Sequence, residues 1–433
     1  MIGTSIVVIA FVIDVAFATY CIVTRSNQSQ VRSFVRIGAL ATFVGFTLAS
    51  IIEWGIRWYA LAALLLVWAT LGVWTLIGKR AEKKAYTTTH TVVNAIVMWL
   101  LVVIALTPAL IFPQHALLKT TGTYQIATVT YTYTDLSRIE TFTNTGESRK
   151  VNVELWYPQN ATGTYPLILF SHGATGIKSS NQSLFRELAS HGYVVSSIDH
   201  PYHSLYTTSA DGHTTWIDLG YLQELKAEDA RSDKQQSYVD YQKWMKLRTA
   251  DINFVLDYTL AAAKKADAAP VYKRIDPTKI GVMGHSLGGS AALGIGRLRD
   301  DVSAVIALES PFLTDIEGVK DDEFVWNTTP YPVPVLNVYG EAWSHLGEWT
   351  QYAENDALLS PTPATAFNVY IRGIGHLTLT DLALTSPLLT RLLNGHASTT
   401  DAEYALKTIN KVCLAFFDSY LKGQGSFTAA GTY

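Results

Sequence analysis

The chain has 433 residues, a formal net charge of -3 and a mean hydropathy of +0.16. That length admits more than one domain, and the near-neutral charge gives no reason to expect nucleic acid as a partner. The two cysteines, Cys21 and Cys413, fall in an apolar early segment and a late helical one, which excludes a disulfide framework or a cysteine-based zinc cluster.

The apolar excess is concentrated in the first 113 residues. Runs at 2–23, 37–53, 58–77 and 92–112 each approach the length needed to cross a hydrocarbon core about 30 Å thick. A cleaved signal peptide would account for the first run only, and that run lacks a basic n-region. Residues 1–118 therefore predict an all-α bundle of about four transmembrane helices. Arg25, Arg32 and Arg36 lie around the first connection, and Lys79, Arg80, Lys83 and Lys84 lie in the third. The second connection carries only Arg57, and the exit from the fourth run has no basic residue before Lys119. Odd connections should thus be cytoplasmic. The expected location is the cell membrane, multi-pass, with everything after residue 118 extracytoplasmic. Trp54, Trp58 and Tyr59 fit an interfacial aromatic belt. Asp14, inside the first run, is a candidate for pairing with a neighbouring helix or lining a polar cavity. Glu53 reads as interfacial.

Residues 119–433 predict a second domain. Alternation at 124–133 and 151–157 reads as half-exposed strands. Residues 166–170 form a buried-type strand, followed by Ser171-His172-Gly173-Ala174-Thr175-Gly176. A helix is expected at 185–191 and a strand at 193–198, ending in Asp199-His200-Pro201-Tyr202-His203. Those His and Asp residues lack further ligands at a zinc spacing and read as part of a site rim. Residues 204–235 are too long for a simple connection and predict a lid or pocket insertion. A long helix follows at 236–265, in which Arg248 and Asp251 could pair. Strands are expected at 302–308, 333–339 and 366–371, and a closing amphipathic helix at 402–421. Strands alternating with helices imply a mostly parallel sheet covered on both faces.

The chemistry is carried by Gly284-His285-Ser286-Leu287-Gly288, after the apolar Ile280 to Met283 and before a helical pattern. This fits a nucleophile elbow: the chain turns sharply with Ser286 at the tip, a Cβ at 284 or 288 would crowd the turn, and the Leu287 N–H faces a developing oxyanion. The Gly-rich loop after residues 166–170 would supply the second oxyanion N–H, from Ala174. A serine hydroxyl needs a base. His376 follows the last clear strand, on a loop freed by Gly373 and Gly375. His345 and His396 are weaker candidates. The acid could be Glu309, after the strand at 302–308, or Glu341, one strand later, with Asp315 an outside candidate.

Six blocks now come in order: 166–173 (PLILFSHG), 188–195 (LASHGYVV), 199–202 (DHPY), 284–289 (GHSLGG), 306–312 (IALESPF) and 370–376 (YIRGIGH). Together they resemble the platelet-activating-factor acetylhydrolase family of serine α/β-hydrolases, plasma type and bacterial relatives, over roughly residues 145–423. The resemblance implies an α/β-hydrolase fold and a calcium-independent esterase with no cofactor or metal. Its nucleophile falls on Ser286, its histidine on His376, its oxyanion donors on Ala174 and Leu287, and its acid on Glu309 rather than Glu341. The family usually has Asp there, so the longer Glu departs from the pattern. The expected substrates are short-acyl or phospholipid-like esters. The rival readings are a lipase, a polyester-cleaving esterase or an amidase, and, from another class, a catalytically silent membrane sensor. In a further reading the helices themselves act as a small transporter or assembly module.

Overall fold

The computed structural model describes residues 2–78, 86–358 and 365–433. Lys79, Arg80, Lys83 and Lys84 of the orientation argument lie outside the described residues. The chain divides into two compact units, Met1–Ala116 with Leu384–Leu389, and Leu117–Ala383 with Thr390–Tyr433.

The first unit holds four helices long and apolar enough to cross a membrane, α1 (Ile2–Thr24), α2 (Ser29–Leu48), α3 (Tyr59–Ile77) and α4 (Thr88–Ile111). Their outward side chains are apolar: Val8, Phe11, Leu66 and Ile104 are all more than half or nearly half exposed. That inverts the pattern of a helix surface made for water. Small residues set the packing. Gly72 of α3 lies against Ser33 and Ile37 of α2, and Gly3 of α1 against the Ala109 carbonyl of α4. These contacts join the start of one helix to the end of the other, so both pairs run antiparallel. The second helix corrects the expectation of 37–53. It begins upstream, takes in Arg32 and Arg36, and stops before Glu53, whose N–H bonds the Gln114 side chain at 3.0 Å. Hydropathy alone discounts a polar first turn, whereas a helix tolerates one whose arginines line a cavity of the unit.

The second unit is built on a nine-stranded sheet. Its strands are β1 (Ile126–Ile139), β2 (Ser148–Pro158), β3 (Tyr165–Ser171), β4 (Val194–Asp199), β5 (Ile275–His285), β6 (Val302–Leu308), β7 (Val335–Tyr339), β8 (Ala366–Tyr370) and β9 (Gly431–Thr432). They lie side by side in the order β1-β2-β4-β3-β5-β6-β7-β8-β9. The pairs β1–β2 and β2–β4 are antiparallel, and every other pair is parallel. Central strands of a parallel sheet need helices on both faces. Alternate residues of β3 provide for this: Leu167 and Leu169 join the core cluster with Ile252, Val255 and Ala291, while Phe170 stacks edge-on against Phe185 at 4.7 Å. The first face is covered by α7 (Lys234–Ala263) and α8 (Leu287–Leu298), the second by α5 (Gln182–Ser190) and the closing helix Ala402–Lys422. Gly281 of β5 leaves room for that closing helix, since a Cβ there would meet Phe417 at 2.7 Å. The α/β-hydrolase architecture is thus present, preceded by the all-helical unit. Residues 204–235 fold as a small hairpin (Tyr206–Thr208 with Thr214–Trp216) and a helix, α6 (Leu219–Ala227).

Candidate active site

Strand β5 ends in the elbow. Ser286 has φ 54° and ψ -128°, a strained backbone for a residue with a side chain, and its hydroxyl stands at the head of α8. The turn is locked by the Ser286 N–H donating to the Leu308 carbonyl at 2.9 Å and by the Ser290 N–H donating to the Ser286 carbonyl at 3.0 Å. A Cβ on Gly284 would collide with the Gly288 backbone, and one on Gly288 with the carbonyl oxygens of Ser171 and His172. Leu287 is the first residue of α8, so its N–H has no partner within the helix and points where an anion is favoured.

The loop after β3 reaches the same point. A Cβ on Gly173 would lie 2.9 Å from His285 Nδ1 and 3.5 Å from the Ser286 Cβ, so the loop backbone rests directly on the elbow. Its orientation is fixed by Arg248 of α7, which is fully buried. The guanidinium donates to the carbonyls of His172 at 2.6 Å, Gly173 at 3.2 Å and Ala174 at 3.2 Å. The Tyr221 hydroxyl adds a second donor to the Ala174 carbonyl at 2.9 Å. In a trans peptide the N–H points opposite the preceding carbonyl. Holding the Gly173 carbonyl toward Arg248 therefore turns the Ala174 N–H away from it.

His376 follows β8 on a loop where Gly373 adopts φ +70° and a Cβ would strike Thr399. Asn394 fastens the next residue, accepting from the Leu377 N–H at 2.9 Å. The His376 ring lies 4.6 Å from that of His285, whose Nε2–H donates to the His376 carbonyl at 3.1 Å. Burial keeps His285 well below its ordinary pKa, hence neutral. His376 Nδ1 donates to Glu309 Oε2 at 2.8 Å. Glu309 is 1% exposed, and its other oxygen accepts from the N–H groups of Gly340 and Ala342 at 2.9 and 2.7 Å. Glu341, the competing acid, bonds His396 at 3.2 Å instead. Asp315 is held by Arg297, and His345 bonds Glu348. Ser286, Leu287, Ala174, His376 and Glu309 are thus gathered around the elbow, and the alternatives are engaged elsewhere.

Beneath the loop lies a group that the sequence reading misplaced. Asp199, His200 and His203 are fully or almost fully buried rather than on a rim. The Ser171 hydroxyl bonds His200 Nε2 at 2.8 Å, and His200 Nδ1 bonds Asp251 Oδ2 at 3.0 Å. Asp251 also takes two bonds from Arg149, both at 2.7 Å. Arg248 and Asp251, expected to pair, bond to other groups: the former serves loop carbonyls, the latter Arg149 and His200. Ser171–His200–Asp251 has the connectivity of a nucleophilic triad, yet all three are fully buried. No substrate carbonyl could reach Ser171, so the array acts as a brace. Burial pushes His200 down to about 4, with Asp251 opposing. Burial alone would raise Asp251, but the Arg149 guanidinium beside it holds the carboxyl well below the usual range. Burial keeps His172 neutral as well; its Nδ1–H donates to the Gly173 carbonyl at 2.7 Å.

The chain is similar to several known proteins. The family model described as platelet-activating factor acetylhydrolase, isoform II, matches residues 124–430. A platelet-activating factor acetylhydrolase of Canis lupus familiaris is 27% identical over 285 residues, 61% of this chain and 60% of that protein. The chain therefore spans about three fifths of the length of that curated relative. Cutinase est2 of Thermobifida alba is 32% identical over 154 residues, 36% of this chain and 37% of the cutinase. Among solved structures, a ferulic acid esterase from Streptomyces cinnamoneus superposes with a TM-score of 0.55 at 21% identity, covering 72% of this chain and 94% of the esterase. That last likeness speaks to the fold alone.

Proposed function

The chain belongs to the platelet-activating factor acetylhydrolase, isoform II, family, and from that premise we propose that it is a membrane-anchored serine hydrolase of carboxylic esters, acting through Ser286, His376 and Glu309. The observation that carries this reading is the bond from His376 Nδ1 to the buried Glu309 carboxylate beside a serine on a strained elbow.

Ser286 Oγ attacks the ester carbonyl while His376 Nε2 takes its proton. Glu309 stabilises the imidazolium and keeps Nε2 free to act as the base. The carbonyl oxygen becomes an oxyanion received by the N–H groups of Leu287 and Ala174, a kind of donor whose loss typically costs about 2.7–4 kcal/mol of barrier. His376 then protonates the departing alkoxide, leaving an acyl-Ser286. Water, deprotonated by the same imidazole, attacks the acyl carbon and releases the carboxylic acid.

The relatives named for an acetylhydrolase and for a cutinase favour ester over amide substrates, with short-acyl or phospholipid-like esters first. A series of p-nitrophenyl esters of rising chain length, set against the matching anilides, tests that preference. Ser286→Ala should abolish turnover of p-nitrophenyl acetate and butyrate and labelling by a fluorophosphonate, with the fold retained. Retained turnover would remove the assignment. The four apolar helices support integral, multi-pass anchoring. Arg25 in the first connection and Arg32 and Arg36 at the start of α2 support an extracytoplasmic hydrolase unit. An impermeant fluorophosphonate on intact cells should label Ser286, and labelling only after lysis would reverse the orientation.

A further inference from the structure

The first unit holds a partly open cavity of about 1060 Å³ bordered by α1 to α4. Because neighbouring helices run antiparallel, one end of this unit gathers the end of α1, the start of α2, the end of α3 and the start of α4. The polar lining collects there. Arg32 and Arg36 are i, i+4 on the first turns of α2, and His90 and Asn94 have the same spacing on the first turns of α4. Toward the opposite end the lining is apolar, with Ile6, Phe43, Leu61 and Val102. From His90 to Val102 along α4 is about 18 Å at 1.5 Å per residue. The cavity thus has a cationic end and a greasy end, separated by roughly the length of one acyl chain.

Its charge is unbalanced. Among the described residues lining it are two arginines and a single carboxylate, Asp14, set deeper on α1. Arg32 lies over the Phe17 ring, its guanidinium carbon 5.2 Å from the ring centroid. Arg36 Nε is buried without a hydrogen-bond partner among the described residues. Arg36 is half-buried, a buried N–H without an acceptor is costly, and a charge in an apolar helical unit marks a site for a charged partner. A small inorganic anion would satisfy the arginines and leave the apolar length empty. A neutral lipid would fill the length and leave Arg36 unanswered.

We propose that this cavity binds a single-chain amphiphile with an anionic head, carboxylate or phosphate. The head lies against Arg32 and Arg36, and the tail runs toward Ile6 and Val102. This is a binding site separate from the ester chemistry, and it does not rest on that reading.

The test uses the full-length protein in nanodiscs of neutral phosphatidylcholine, with a diazirine-bearing palmitate as probe. Photolabelling should saturate and map by mass spectrometry to peptides of α1, α2 and α4. Palmitate or hexadecyl phosphate should compete, and hexadecanol should not; whichever anion competes better identifies the head. Arg36→Gln and Arg32→Gln should each weaken labelling about tenfold, as expected for losing a bond to a charged group. Asp14→Asn should strengthen it by removing the opposing charge, an effect that a merely structural role would not produce. Thermal unfolding followed by intrinsic fluorescence reports folding in every variant. Ser286→Ala should leave photolabelling unchanged, so a failed esterase assignment would not touch this one. Equal competition by hexadecanol, undiminished labelling in the double arginine variant, or label confined to lipid-facing side chains would overturn the proposal.

Discussion

Glu309 holds His376 with one carboxylate oxygen, at 2.8 Å, and two backbone N–H groups with the other, from a residue whose own φ is +47°. The side chain therefore spans a fixed gap between the His376 imidazole and the turn at Gly340–Ala342. Glu309→Gln removes the charge facing the imidazolium, and kcat should fall about 10³–10⁴-fold, as when a triad acid becomes an amide. Glu309→Asp keeps the charge but is too short to hold both partners. A misplacement of about 1 Å typically costs about 10²-fold, so kcat should drop by that order. Thermal stability should hold, because Asp tolerates positive φ better than Glu. Glu341→Gln should leave kcat unchanged. If Glu341→Gln were the damaging variant, the acid would be misassigned. Steady-state kinetics of the three variants check this.

Arg248 holds the loop that carries the proposed oxyanion donor Ala174. Its three carbonyl bonds set which way the Ala174 N–H faces. Arg248→Lys, with one point charge in place of a fork, cannot hold all three. We expect kcat to fall about 10²-fold, the scale of one lost oxyanion donor, with KM nearly unchanged. Affinity for a tetrahedral trifluoromethyl ketone should fall in parallel with kcat. Loss of stability with undiminished kcat per folded molecule would reduce Arg248 to a structural role.

The elbow was legible because its constraints are local: a turn that excludes Cβ atoms needs glycines at fixed offsets from the nucleophile. The strands were legible for the same reason, from short buried runs such as 166–170. Spacing alone left the carboxylate open, since Glu309 and Glu341 both follow strands; the family resemblance pointed to Glu309, and it is Glu309 that lies against His376. The brace was missed because Ser171, His200 and Asp251 meet from three different elements. One signal did exist. Tyr241, Trp244, Met245, Arg248 and Ile252 lie on one stripe of α7, all buried. An arginine on an apolar stripe must have buried acceptors. The start of α2 was misread because its arginines lower a hydropathy window, although they line a cavity of the unit.

Helix propensity and packing make opposite forecasts for Gly288→Ala. Propensity favours Ala by about 1 kcal/mol within a helix. Here, however, the new Cβ would overlap the carbonyl oxygens of Ser171 and His172, which are backbone atoms held by β3 and Arg248. Packing should win, with soluble expression, thermal stability and fluorophosphonate labelling all lost or severely reduced. Gly45→Ala in α2, where no atom lies within 4 Å of the new Cβ, is the matched control and should be neutral or stabilising. A stable, labelled Gly288→Ala protein would show that the elbow relaxes more than its geometry allows.

The buried histidines give stability a defined acid limit. His200 titrates at about 4 in the folded chain, and His172 and His285 lie well below their ordinary value, burial being the main cause for each. Once unfolded, all three return to about 6.5. Between about pH 4 and 6.5 the unfolded chain therefore binds more protons than the folded one, so stability falls as pH drops through that window and is fully present above it. His200→Gln removes one such titration but also disturbs the bonds to Ser171 and Asp251. It should be less stable than wild type at pH 7.5 and lose less on going to pH 4.5, so the two melting curves converge toward acid. Unfolding followed by intrinsic fluorescence of the full-length protein in neutral detergent measures this directly. Parallel curves for variant and wild type would mean that His200 is not the neutral, buried link its surroundings require.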